Sequence, residues 1–195
     1  MATKEDILEQ VVEEYLIHKG YFVRHNIKFL PDKGHAEFVS KLDSNHSDID
    51  VLGIHPKLTG CARVIAVSCK SWQGGFNPVA EIAAIRADKT VRGRKAWQSF
   101  RELTKPKWSE AFRKVIEEAT GSTKFTHVTA VARLKGGKGA WESAPEFTNA
   151  MGGNPVTILT FKEMVDEIAP GLTTTVASSE VGRLLQMFRA AGMSI

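Results

Sequence analysis

Two adjacent segments rich in β-branched residues constrain the fold of this chain more than any other feature. Residues 48–55 (DIDVLGIH) and 62–70 (ARVIAVSCK) have the composition of strands, and residues 56–60 between them begin with proline and end with glycine. A connection this short favours antiparallel pairing of the strands that flank it. The sequence therefore predicts a β-hairpin built from these two segments.

The polar residues of this hairpin fall on one face of each strand. Because side chains alternate along a strand, Asp48 and Asp50 share a face of the first strand, and Ser68 and Lys70 share a face of the second. The apolar opposite faces can be buried, which would hold the polar cluster on a rigid support. We therefore predict that the two acids and the lysine converge. The alternative interpretation is an ordinary surface, on which these charges are simply solvated.

The segments around the hairpin indicate the fold class. A helix is predicted over residues 5–19, where apolar residues recur every three or four positions before Gly20. A strand is predicted over residues 21–30, and residues 36–42 are expected to extend it or pair with it. Further downstream we predict helical segments over 79–119, interrupted near 92–94 and 105–106, strands over 125–134 and 156–161, and helices over 162–168 and 178–191. This order predicts an α/β fold with a central mixed sheet and helices on both of its faces.

The first helix adds a third candidate acid. Glu9 lies at the edge of the apolar stripe of this helix, whereas Glu13 and Glu14 point further toward water. An acid at such a boundary can lean over the sheet. A solvated surface glutamate is the alternative interpretation.

Three of these residues resemble the motif of the PD-(D/E)xK nuclease superfamily. They are Glu9 in EQVVEEYLIHKGY, Asp50 in SDIDVLG and Lys70 in IAVSCKSW, in that order along the chain. The resemblance covers residues 5–135 and implies a restriction-endonuclease-like fold with an αβββαβ core. It divides the chain into a nuclease domain, residues 1–170, and a C-terminal helical appendage, residues 171–195. The implied activity is that of an endonuclease that hydrolyses phosphodiester bonds of DNA with a divalent metal.

The resemblance also implies a role for each motif residue. Asp50 would be the main ligand of Mg²⁺ or Mn²⁺, together with a main-chain carbonyl near Cys69, because hard cations prefer oxygen ligands. The metal would polarise the phosphate and help to generate hydroxide. Lys70 would act as a base or stabilise the developing charge. Glu9 would orient the metal shell or a water.

The chain departs from the family pattern at Ser68, where most members have an acid two residues before the lysine. A hydroxyl is a weak metal ligand and cannot serve as a carboxylate base. Asp48, on the same strand face as Asp50, is one candidate for the missing acid and metal ligand. Glu81, at the start of the following helix, is another. The third interpretation is a catalytically inactive, nuclease-derived module that binds nucleic acid, and a protein-interaction scaffold is a more distant one.

Positive charge is concentrated immediately after the hairpin. Residues 86–114 contain ten basic and three acidic residues, a net charge of +7 in a chain whose total is +4. Such a concentration favours contact with a nucleic-acid backbone. The predicted DNA-contacting residues are Arg92, Arg94, Lys95, Arg101, Lys105, Lys107 and Trp72. The other aromatic residues of this segment can stack on bases, but burial in the core is the favoured interpretation for them.

The remaining predictions concern compartment and assembly. The acidic N-terminus does not resemble a signal peptide and no apolar run approaches 18 residues, so a cytoplasmic protein without a membrane partner is expected. Cys61 and Cys69 fit no disulfide or zinc spacing. Because cutting both strands of a duplex commonly needs two active sites, a homodimer is also expected. Val181, Leu184, Leu185 and Phe188 of the last helix either form that contact or pack on the sheet.

Overall fold

The computed structural model describes residues 6–172, 175, 177 and 179–193. Its helices are α1 (Ile7–His18), α2 (Ser40–Asp43), α3 (Pro78–Arg86), α4 (Arg101–Thr104), α5 (Pro106–Thr120), α6 (Gly139–Glu142), α7 (Pro145–Ala150), α8 (Phe161–Ile168) and α9 (Glu180–Ala190). Its strands are β1 (Phe22–Phe29), β2 (Ser47–Ile54), β3 (Val64–Lys70), β4 (Thr90–Val91), β5 (Arg94–Lys95), β6 (Thr126–Val131) and β7 (Val156–Thr160).

Five of the strands form one mixed sheet in the order β1-β2-β3-β6-β7. Strands β1, β2 and β3 are antiparallel neighbours, whereas β6 and β7 continue the sheet in parallel. Val51 lies opposite Val67 across β2 and β3, which confirms the predicted hairpin. The protein is therefore an α/β protein with a mixed sheet flanked by helices, as the sequence predicts.

The two faces of the sheet are covered by different helices. On one face, Val51 and Val67 pack into a buried cluster with residues of α1, α8 and α9. On the other face, Leu52 and Ala66 belong to a larger cluster that includes Trp108 of α5. Since side chains alternate along β3, its even-numbered residues face the side covered by α5. In β2 both Leu52 and Ile49 belong to the cluster on that side, so the alternation is not regular along the whole of β2. The face of β3 that bears Ser68 and Lys70 is therefore on the side of the sheet covered by α5.

The expectation that residues 36–42 extend or pair with β1 is wrong. This segment forms turns and runs into α2, because the buried carboxylate of Asp43 binds three donors around it. The amide of Val39 donates to Asp43 Oδ2 at 2.7 Å, the ammonium of Lys107 at 2.6 Å, and the indole of Trp108 donates to Oδ1 at 3.0 Å. These bonds hold the segment against α5 instead of the sheet edge.

The predicted helical segment over 79–119 contains a small hairpin, β4–β5, at its first interruption. Arg92 and Gly93 form its turn, and both have positive φ angles of 53° and 78°. Two consecutive residues in this conformation are typical of tight β-hairpin turns. The hairpin places Arg92 and Arg94 beside the end of β3. Helices α6 and α7 were also not predicted.

The predicted last helix is present as α9, and the hydroxyl of Ser179 caps it by accepting from the amide of Gly182 at 2.9 Å. Val181 and Leu185 are buried in the cluster that α1 and α8 form, so they pack within the chain. Leu184 remains 47% exposed. The appendage predicted over 171–195 includes positions outside the described residues. Among the helices of the described residues, none combines the length and apolar character that a membrane span requires.

Candidate functional site

A polar pocket of about 390 Å³ lies at the carboxyl end of β3. Because β2 runs antiparallel to β3, the first residues of β2 reach the same point, and the β4–β5 hairpin and α4 complete the walls. The lining residues are His46, Ser47, Asp48, Asp50, Ser68, Cys69, Lys70, Trp72, Arg92, Arg94, Gln98, Ser99, Arg101 and Glu102. The pocket thus brings together seven of the residues that the sequence singles out: Asp48, Asp50, Lys70, Trp72, Arg92, Arg94 and Arg101.

Asp50 is a half-buried carboxylate in this pocket. The amide of Cys69 donates to its Oδ2 at 2.5 Å, the only hydrogen bond that the described residues give this side chain. Burial raises the pKa of Asp50 to about 6, and Asp48 and Glu102 add to the shift against the opposing effects of Lys70 and the amide. The protein therefore keeps an acid here without fully compensating its negative charge.

Glu102 is a third acid of the pocket, after Asp48 and Asp50, and it is not among the residues predicted from the sequence. Its side chain belongs to α4 and is buried, with 4% of the residue exposed. Ser68 Oγ donates to Glu102 Oε1 at 3.1 Å, and Nε2 of His127 lies 3.5 Å from the same oxygen. Burial pushes the pKa of Glu102 upward, but His127 and Lys70 outweigh it and hold this pKa below its ordinary value.

A signal for Glu102 does exist in the sequence. It is one of only three acids in the basic segment, and it stands between Phe100 and Leu103, two apolar residues that the structure buries. A charged residue in such a position is commonly paired. Its partner was not recognisable, because Ser68 lies 34 positions earlier in the chain.

The charge of Lys70 acts on both Asp50 and Glu102. Its ammonium lowers the pKa of both Asp50 and Glu102, although no carboxylate of the described residues lies within 4.0 Å of it. The ammonium also lies 5.6 Å from the centroid of the Phe100 ring. Lys70 is therefore a cation held near both carboxylates without forming a closed ion pair with either.

Two arginines of the pocket are also free of ion pairs within the described part of the chain. Arg94, at the start of β5, is exposed, and Arg101, at the start of α4, lies with its guanidinium 4.9 Å from the centroid of the Trp108 ring. Burial lowers the pKa of Arg101. Guanidinium groups without a carboxylate partner are well suited to bind a phosphate.

Arg92 has a different environment. Its guanidinium carbon lies 3.6 Å from the centroid of the Trp72 ring, and its Nη2 donates to Glu81 Oε1 at 2.5 Å. Glu81 does not line the pocket, because it lies behind Arg92 and neutralises it. The structure therefore gives Glu81 no contact with Asp50, and its observed role is to fix the β4–β5 hairpin through Arg92.

Three of the predicted DNA-contacting lysines lie outside the pocket. Lys95 pairs with Asp88 at 2.8 Å, and the ammonium of Lys105 lies 4.9 Å from the centroid of the Trp97 ring. Lys107 is 8% exposed and pairs with Asp43 at 2.6 Å. Lys107 is therefore the buried partner of a buried acid.

Glu9 belongs to the first turn of α1, which covers the opposite face of the sheet. It is near enough to the thiol of Cys69 to help raise the pKa of that thiol, after the larger effect of burial. It does not line the pocket. Asp6, the cap of α1, receives a hydrogen bond from Ser71 Oγ at 2.5 Å, so the start of α1 lies near the end of β3.

The pocket contains carboxylates that could hold a divalent cation. Asp48 and Asp50 both line it. Mg²⁺ keeps several waters and is commonly held by one or two carboxylates together with substrate phosphates. Within the described residues, no three His, Cys, Asp or Glu side chains form a metal-binding cluster.

Comparisons with protein-family models, with curated proteins and with solved structures give no match to this chain.

Proposed function

We propose that this protein is a metal-dependent endonuclease that hydrolyses phosphodiester bonds of DNA. The observation that carries the proposal is the convergence of Asp50 and Lys70 in one pocket with Arg94 and Arg101, two cations free of ion pairs in the described part of the chain. Carboxylates can hold a divalent cation, and the arginines can hold the phosphate that reacts beside it.

The order of the elements supports a restriction-endonuclease-like fold for residues 1–170. Helix α1 precedes the antiparallel strands β1, β2 and β3, helices α3 to α5 follow, and β6 then pairs in parallel with β3. This is the αβββαβ order that the resemblance implies. The acid and the lysine are placed on β2 and β3, as that resemblance also implies.

Five residues of the pocket have roles in the proposed reaction. Arg94 and Arg101 bind the non-bridging oxygens of the phosphate and orient it. Lys70 places its positive charge next to the attacking water and the negative charge that develops on the phosphate oxygens. Asp50 and Asp48 would hold Mg²⁺ or Mn²⁺, which when bound polarises the phosphate and lowers the pKa of a coordinated water.

The position of the Asp50 carboxylate among the cations of the pocket favours an active enzyme over a module that only binds DNA. A negative group in a DNA-binding pocket repels the backbone, and burial makes the charged form of Asp50 still less favourable. A module without catalysis gains nothing from this carboxylate, whereas a cation bound there offsets its charge. Ser68 is the observation that favours the inactive module, because β3 has a hydroxyl where an acid is expected.

Cleavage of supercoiled plasmid DNA in the presence of Mg²⁺ or Mn²⁺ tests the proposal. The parent protein is expected to nick or cut the plasmid, EDTA to stop it, and Asp50→Asn and Lys70→Ala to reduce the rate at least about 100-fold. Asp166→Asn and Lys124→Ala, at exposed positions far from the pocket, are matched controls expected to cut at the parent rate. Salt-sensitive DNA binding without cleavage, unchanged by Asp50→Asn, would instead establish the inactive module.

A further inference from the structure

Ser68 is not an acid, but a carboxylate from another element lies beside it. Ser68 is buried, with 4% exposed, and its hydroxyl donates to the Glu102 carboxylate at 3.1 Å. Ser68 and Lys70 share the face of β3 that looks into the pocket, and Glu102 lines the same pocket. A carboxylate from α4 therefore lies next to the strand position at which the resemblance expects one.

The surroundings of Glu102 are arranged to keep its charge. An ionised carboxylate is unfavourable in a protein interior unless opposite charges or hydrogen-bond donors compensate it. Here the donor is Ser68, and the compensating groups are Lys70 and His127, which is fully buried. His127 and Lys70 outweigh the effect of burial on the pKa of Glu102.

His127 belongs to β6, and its ring lies next to the Glu102 carboxylate. Neither of its ring nitrogens makes a hydrogen bond there, although Nε2 lies 3.5 Å from Glu102 Oε1. The Phe112 ring packs against it with a centroid distance of 5.5 Å. Buried polar atoms without hydrogen bonds are rare and call for an explanation. Proximity to the Glu102 charge gives one.

We propose that Glu102 joins Asp50 in the cation site as the acidic group that position 68 lacks, with Ser68 and His127 as positioning residues. This inference rests on the proposed function, because it assumes a divalent cation in the pocket. In this proposal the carboxylate that the resemblance expects on β3 is supplied by α4 instead. The hydroxyl at position 68 then serves as a hydrogen-bond donor to the displaced acid.

The test moves the acid between the two positions and measures Mn²⁺ binding by calorimetry without DNA. Glu102→Gln, which keeps an oxygen for Ser68, is expected to weaken Mn²⁺ binding about tenfold or more and to slow plasmid cleavage by a larger factor. Combining Ser68→Asp with Glu102→Ala returns a carboxylate to the strand and is expected to restore Mn²⁺ binding to within about threefold of the parent. Glu117→Gln, at an exposed position of α5, is the matched control.

Several outcomes would overturn the inference. Glu102→Gln that melts at the parent temperature and binds Mn²⁺ as tightly as the parent shows that Glu102 adds nothing to the site. Failure of the relocated acid to recover any Mn²⁺ binding contradicts the exchange of positions. If Glu102→Gln does not fold, Ser68→Ala replaces it, with an expected loss of about threefold, and unchanged binding counts against the inference.

The same assays separate this inference from the proposed function. A parent protein that binds no Mn²⁺ and cuts no DNA contradicts both. A parent protein that cuts DNA through Asp50 and Lys70, with Glu102→Gln equally active, contradicts only the role of Glu102.

Discussion

The hydroxyl of Ser68 on β3 and the carboxylate of Glu102 on α4 are joined by a 3.1 Å hydrogen bond, although 34 positions separate the two residues in the chain. This bond connects the sheet to the basic segment at the point where Asp50 and Lys70 also reach the pocket. The bond therefore joins the strand that bears Lys70 to the helix that bears Arg101.

Asp50→Asn is expected to stabilise the metal-free protein at neutral pH. The pKa of Asp50 rises from 3.8 to about 6 on folding, so the folded state holds its proton more tightly than the unfolded state. The resulting stabilisation is complete below about pH 3.8 and is lost as the pH rises to about 6. At pH 7.5 the variant should therefore gain about 2–3 kcal/mol in unfolding free energy. Urea unfolding in EDTA measures this gain, and a variant less stable than the parent would contradict it.

In the presence of Mn²⁺, the parent is expected to be more stable than Asp50→Asn, which reverses the order expected without metal. A cation that binds the folded parent raises its melting temperature, whereas a protein without the Asp50 carboxylate loses most of this effect. Increasing Mn²⁺ should therefore raise the melting temperature of the parent and leave that of Asp50→Asn nearly unchanged. Equal upward shifts in both proteins would place the cation elsewhere.

Arg94 and Arg101 are expected to act together on DNA. Replacing both with alanine should weaken binding of a short duplex about 10–100-fold and reduce the salt dependence of binding by nearly two counterions. Arg183→Ala, an exposed position on α9, is the matched control. Fluorescence anisotropy over a range of salt concentrations measures both quantities. An unchanged salt slope would show that neither arginine contacts a phosphate.

Arg92→Ala is expected to destabilise the protein because it leaves Glu81 without its cation. The Glu81 side chain is only 7% exposed, so an unpaired charge there should cost about 1–3 kcal/mol. Adding Glu81→Gln removes that charge, and the double variant should recover part of the loss. Denaturant unfolding of the three proteins provides the comparison. A double variant less stable than Arg92→Ala would show that the Trp72 stacking contact dominates.

Lys107→Met and Lys105→Met are expected to differ sharply although the two positions are nearly adjacent. Lys107 pairs with the buried carboxylate of Asp43, and removing one partner of a buried pair commonly costs about 3–5 kcal/mol. Lys105 is half-buried over Trp97 and has no ion pair among the described residues, so its loss should cost well under 1 kcal/mol. Chemical denaturation tests this difference, which would vanish if Lys107 were a surface cation.

The parts of the site that depend on local rules could be predicted from the sequence. The short connection between β2 and β3 makes them antiparallel neighbours, so that Lys70 at the end of β3 lies near the start of β2. Asp48, Asp50 and Lys70 line one pocket there. Of the basic residues that follow the hairpin and that the sequence predicts to contact DNA, Arg92, Arg94 and Arg101 line this pocket.

The parts that depend on tertiary packing could not be predicted. The neighbourhood of Glu102 is determined by how α4 docks on the sheet, and that of Lys107 by the fold of residues 36–42 around Asp43. Glu9 shows the same limit, because a helical pattern identifies its apolar side without telling which face of the sheet that side covers.

All fourteen residues that line the pocket come from one continuous stretch, residues 46–102, yet His127 reaches Glu102 from β6. A nascent chain synthesised only as far as α5 thus contains all the residues that line the pocket. It does not yet contain β6, the strand that pairs in parallel with β3. Assembly of the charged site is therefore coupled to synthesis of the chain beyond residue 126. An incomplete polypeptide would carry the charged groups of the pocket without the strand that pairs with β3 and brings His127 to Glu102.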